Sequence, residues 1–154
     1  MKILATSDLH NPSGEIFENL VKTVNNSNAE MFILGGDISN GNKKDLEEIL
    51  NRFSTFKGKK LFVIGNHDLY DLELNFNEKY KLVQQTIESN GFHSLDKHPM
   101  VFEDVGIVGN IGWYDYSFRL KEGAINGKIF IDGEIYQNWE DIPKEAYQEK
   151  TAFI

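Results

Sequence analysis

Between Met1 and Asn90 the apolar residues fall into two alternating patterns, and each pattern names an element. Three short unbroken runs, "KILAT" (Lys2–Thr6), "MFIL" (Met31–Leu34) and "KLFVI" (Lys60–Ile64), have the length and composition of buried strands. Between them apolar positions recur every three to four residues. Ile16, Phe17, Leu20, Val21 and Val24 form one helical stripe after "NPSG", and Leu46, Ile49, Leu50, Phe53 and Phe56 form a second, opened by Asn42 as N-cap. A third helix is predicted over Asn77–Ser89, stopped by Asn90 and Gly91. Strands alternating with helices imply parallel pairing through right-handed crossovers, hence an α/β fold with a mostly parallel first sheet.

Past Gly91 the pattern becomes extended. Val101–Glu103 and Val105–Gly109 predict a hairpin around Asp104, in a second sheet or an extension of the first. From Arg119 to Ile135 glycines are frequent and a long loop or short strands are expected; Pro143 opens a predicted helix over 144–150. Trp113, Tyr114, Tyr116 and Phe118 are expected to serve packing at a hairpin corner, with a lid or partner contact as the alternative; Arg119 is a candidate phosphate contact. No repeat or linker divides the chain, so residues 1–154 read as one domain.

Charge and composition narrow the chemistry. With 16 Lys plus Arg against 24 Asp plus Glu, the net charge of -8 repels nucleic acid and anionic membranes. Cysteine is absent, so any metal must sit on oxygen and imidazole. Asp8 interrupts the first apolar run too early for a signal peptide, and no run approaches the roughly 20 residues of a membrane span. These absences predict a cytoplasmic protein.

Parallel strands deliver whatever follows them to one edge of the sheet, where ligands of open α/β sheets bind. That edge would collect Asp8 and His10 from "SDLH", Asp37 from "GGDISNGN", and Asn66, His67 and Asp68 from "GNHD". Carboxylates, an amide oxygen and an imidazole suit manganese, iron, zinc or magnesium. Two such ions roughly 3.5 to 4 Å apart can hold a hydroxide between them for in-line attack at phosphorus. On this reading Asp8 and His10 bind one ion, Asp37 bridges both, and Asn66 binds the second. His67 protonates the leaving oxygen, and Asp68 orients or tunes the His67 ring. Alone, each motif is an ordinary turn, since Asn, Asp and Gly favour turns. Three of them, each directly after a strand and in one order, make the argument.

"SDLH", "GGDISNG" and "GNHD" resemble the first three blocks, DxH, GD and GNH[DE], of the calcineurin-like metallophosphoesterases, and "GNIGWYDYSFR" (Gly109–Arg119) is similar to a segment of some prokaryotic members. The resemblance implies a four-layer α/β/β/α sandwich of which this chain is the N-terminal portion. It also implies two divalent metal ions, a phosphate mono- or diester substrate, and roles that match those above: Asp8 and His10 on one metal, Asp37 on both, Asn66 on the second, and His67 at the phosphate and leaving group. The chain departs from the pattern in lacking the later "GHxH" block; its other histidines are His93 and His98. It is therefore expected to be an incomplete domain, from a truncated or split protein, with weak binding of the second ion. Association with the missing part or with another copy would cover its open edge. A metal- or phosphate-binding module without turnover is the alternative, and a nuclease is disfavoured by charge.

Overall fold

Along the second strand Met31 and Ile33 point to one side and Phe32 and Leu34 to the other, and the two sides bury in different cores. The third strand repeats this, with Leu61 and Val63 on the first side and Phe62 and Ile64 on the second. A sheet with both faces apolar must be covered on both. The computed structural model, which describes residues 1–70, 73–112, 129–131 and 134–136, shows how. Strands β1 (Ile3–Thr6), β2 (Met31–Leu34), β3 (Lys59–Phe62) and β4 (His93–Ser94) pair in parallel in the order 1-2-3-4, with Ile3 opposite Met31, Met31 opposite Lys59 and Leu61 opposite His93.

Each connection steps one strand in the same direction, so right-handed crossovers put every helix on the same face. Helices α1 (Gly14–Asn25), α2 (Lys43–Asn51) and α3 (Phe76–Ser89) accordingly share one core with Phe32, Leu34, Phe62 and Ile64. The centre of that core is aromatic: the Phe32 ring lies 4.8 Å from Phe53, 6.0 Å from Phe56 and 6.4 Å from Phe92. The opposite face is covered by an antiparallel hairpin, β5 (Met100–Phe102) and β6 (Val105–Ile107), whose Met100, Phe102 and Ile107 pack with Met31, Leu61 and Leu95. Its turn passes through Glu103 at φ +54°.

The chain divides into two compact units, Met1–Ile111 and Gly112–Ile154. In the second, strands β7 (Ile129–Ile131) and β8 (Glu134–Tyr136) form an antiparallel pair, at the end of the region expected to hold a loop or short strands and one residue past it. The aromatic segment 113–118, Arg119 and the helix expected over 144–150 lie outside the described residues. Among the described residues no helix is long and apolar enough to cross a membrane.

Helix starts follow their caps. Asn42 accepts from the amides of Lys44 and Asp45, and Asn75 forms a reciprocal capping box with Glu78, which starts α3 at Phe76 rather than Asn77. Gly91 at φ +76° follows its end. Strand β3 begins one residue earlier than expected and is assigned only to Phe62, although the Val63 amide still reaches the Leu34 carbonyl at 2.9 Å. Ile16, expected on the buried stripe of α1, is 88% exposed. It stands about 100° around the helix from Phe17, while Val21 and Val24 stay within about 40° of it.

The packing yields a paired expectation. Phe32→Ala should cost about 3–5 kcal/mol in urea denaturation followed by circular dichroism. Ile16→Ala should change stability by less than about 0.5 kcal/mol. Equal costs would contradict the core described here.

Candidate metal centre

The loops after β1, β2 and β3 are knitted together before any ligand is considered. The amides of Asp8, His10 and Asn11 donate to the carbonyls of Gly36, Asp37 and Ile38 at 3.0, 3.0 and 3.1 Å. To run alongside in this way, Asp8, His10, Asn11 and Asp37 adopt left-handed backbone at φ +55°, +49°, +54° and +54°. Each costs on the order of 1 kcal/mol, and such residues concentrate at functional sites. Gly36, at φ +84°, lets the second loop meet the third: a Cβ there would stand 2.6 Å from the Gly65 amide nitrogen. A Cβ on Gly65 would in turn fall on Asp37. Two side chains could not pass here, so both positions need glycine.

Asp68 fastens these loops from beneath. Its carboxylate is fully buried and accepts from the amides of Asp37 (3.0 Å), Ile38 (3.0 Å), Ser39 (2.8 Å) and Gly65 (3.1 Å) and from the Ser39 hydroxyl (3.1 Å). This corrects the role read from its place beside His67. The carboxylate faces the backbone of the β2 and β3 loops and is engaged there, so it sets where Asp37 and His67 stand. Burial pushes the Asp68 carboxyl above the ordinary carboxylate range, opposed by the donors from Ser39, Gly65 and Ile38. Asp96, just past β4, anchors the same edge by accepting from the Ile64 amide at 2.7 Å, and burial raises its carboxyl as well. The buried ammonium of Lys79 on α3 donates to the Gly41 carbonyl, further along the β2 loop.

Above this foundation His10, Asp37 and His67 each bring a ligand atom within 4.8 Å of the others. One Asp37 oxygen accepts from the His67 amide at 2.8 Å. The His10 and His67 rings meet edge to face at 4.5 Å. His10 Nδ1 lies 3.3 Å from the side-chain oxygen of Asn40. An Nδ1-protonated His10 donates to that oxygen and leaves the Nε2 lone pair for a metal. Asn66 precedes His67 on the same turn, and its Nδ2 donates to the Tyr70 hydroxyl at 3.0 Å. Asp8 is exposed, and its carboxylate lies outside the triad. His93 and His98 are also outside it; His93 Nε2 meets the His98 carbonyl at 2.6 Å.

Sequence patterns did not reveal Asn40, Tyr70 or Asp96. Each belongs to a loop or single turn where periodicity carries no signal, although Asn40 lies within "GGDISNG" and Tyr70 two residues past "GNHD".

The profile of the calcineurin-like phosphoesterases matches residues 1–151. The chain belongs to that family. Among solved structures it is similar to the phosphopantetheinyl hydrolase PptH of Mycobacterium tuberculosis, with a TM-score of 0.64 and 21% identity over 80% of this chain and 46% of that one. That likeness supports the metallophosphoesterase fold, and the chain spans about half the length of that hydrolase. Among curated proteins none matches the sequence. Membership in the calcineurin-like family implies divalent metal ions. The residues present fit such an ion: the His10 imidazole and the Asp37 carboxylate converge, with the His67 ring beside them.

Replacing Asp68 by Asn would point an NH2 group at backbone amides that are themselves donors. Asp68→Asn should therefore lower unfolding stability by about 3 kcal/mol or more, measured by chemical denaturation. A loss below about 1 kcal/mol would contradict the clasp.

Proposed function

We propose that this calcineurin-like phosphoesterase hydrolyses phosphate mono- or diesters at a centre of two divalent ions. The observation that carries the reading is the convergence of His10, Asp37 and His67 at the strand ends. Asp8 and His10 would hold one ion, Asp37 both, and the Asn66 amide oxygen the second. When bound, such ions supply Lewis acidity at phosphorus and acidify water at neutral pH.

The chain's own residues supply the rest. The amide of His67 donates to Asp37, which ties the β3 loop to that carboxylate and places the imidazole beside it. As a water oxygen bonds to phosphorus and the bond from phosphorus to the ester oxygen breaks, a protonated ring nitrogen of His67 gives its proton to that departing oxygen, an effect worth about a hundred- to ten-thousand-fold. The neighbouring rings of His10 and Tyr70, each 4.5 Å from His67, limit where that imidazole can turn. Asp68 acts one layer lower, by holding the backbone of both loops.

A binding module without turnover is the second reading, favoured by one observation: of the four histidines only His10 and His67 belong to the cluster. The net charge of -8 argues against a nucleic-acid substrate for either reading.

With manganese added, the chain should cleave bis-nitrophenyl phosphate or nitrophenyl phosphate in a chelator-sensitive reaction, and Asp37→Asn should lower the rate at least about a hundredfold. Turnover that persists in chelator and survives Asp37→Asn would overturn the proposal. Manganese binding with no turnover at any metal concentration would select the binding module.

A further inference from the structure

Asparagine is an ambiguous metal ligand. One end of its amide is a carbonyl oxygen that a cation attracts, the other is an NH2 group that it repels, and a half-turn of the last side-chain torsion exchanges them. An asparagine at a cationic centre is therefore helped by a neighbour that engages the nitrogen.

Here the backbone supplies that neighbour within four residues. Asn66 opens the single 3-10 turn His67–Leu69, in which the Leu69 amide donates to the Asn66 carbonyl at 3.1 Å and the Tyr70 amide to the His67 carbonyl at 3.2 Å. The turn brings Tyr70 back beside the two residues that precede it in the motif. Its hydroxyl accepts from Asn66 Nδ2 at 3.0 Å, and its ring lies 4.5 Å from the His67 ring, tilted by 46°. A single tyrosine thus touches both the amide and the imidazole. Tyr70 remains 50% exposed, so packing of the core does not require it.

We infer that Tyr70 is a positioning residue for the metal centre: by taking the hydrogen bond of the Asn66 nitrogen it keeps the Asn66 oxygen available to a divalent ion. This rests on the reading of Asn66 as a metal ligand given above. Tyr70→Phe keeps the ring on His67 and removes only the hydroxyl. The amide is then free to present either end, and affinity for the ion that Asn66 holds falls by about three- to tenfold, the worth of one such hydrogen bond.

Isothermal titration of the full chain with manganese chloride tests this without reference to turnover. Tyr70→Phe should weaken manganese binding by that factor, with an unchanged urea midpoint. In an Asn66→Asp background, where both ends of the side chain are oxygen, the same change should cost less than about twofold. Equal losses in the two backgrounds would show a general disturbance and overturn the inference. If Asn66→Ala weakens manganese binding while Tyr70→Phe matches the wild type, the role of Tyr70 fails alone. If Asn66→Ala leaves binding unchanged, the ligand assignment beneath it fails first.

Discussion

Five hydrogen bonds converge on the Asp68 carboxylate, and the edge that carries the candidate centre depends on them. A buried carboxylate without partners would be expensive, but one that accepts four backbone amides and a hydroxyl exchanges its hydration for fixed dipoles. The donors come from two separate loops, one carrying Asp37 and the other following β3. Their separation is thus fixed by a group that never has to touch the substrate. The left-handed residues at 8, 10, 11 and 37 and the glycine contact between 36 and 65 show how tightly the strand ends are drawn together.

That clasp has a use only because of the order of the strands. A sheet in the order 1-2-3-4 places β2 between β1 and β3, so the loop bearing Asp37 has the loops bearing His10 and His67 on either side. The same order puts all three helices on one face and leaves the other for the β5–β6 hairpin, which seals it with Met100, Phe102 and Ile107. Core and centre are thus two consequences of one topology. The apolar faces hold the strands parallel, and their parallel ends hold the polar groups together.

Much of this was legible in the chain itself. Apolar runs of four or five residues and stripes at helical spacing marked three strands and three helices, and the polar clusters after the strands marked the edge where His10, Asp37 and His67 meet. Where the reading failed, the physics was local. Strand β4 pairs only at His93 and Ser94, too short and too polar to register as an apolar run. Ile16 fits a three-to-four spacing with Leu20, yet lies at the margin of the arc that faces the core. Adjacency in sequence suggested that Asp68 serves His67, but on a one-turn 3-10 helix successive side chains point apart, and Asp68 turns inward beneath the loops. Asn40 and Tyr70 meet His10 and Asn66 through contacts that no periodicity encodes.

The central claim is that a divalent ion binds where the ends of adjacent parallel strands bring His10 and His67 together beside Asp37. The chain's four histidines make it directly measurable, by following their ring-proton resonances in NMR as manganese is added in small increments. The resonances of His10 and His67 should broaden first, ahead of those of His93 and His98, whose positions are outside the cluster. Broadening that begins at His93 or His98, or spreads evenly over all four, would contradict the account.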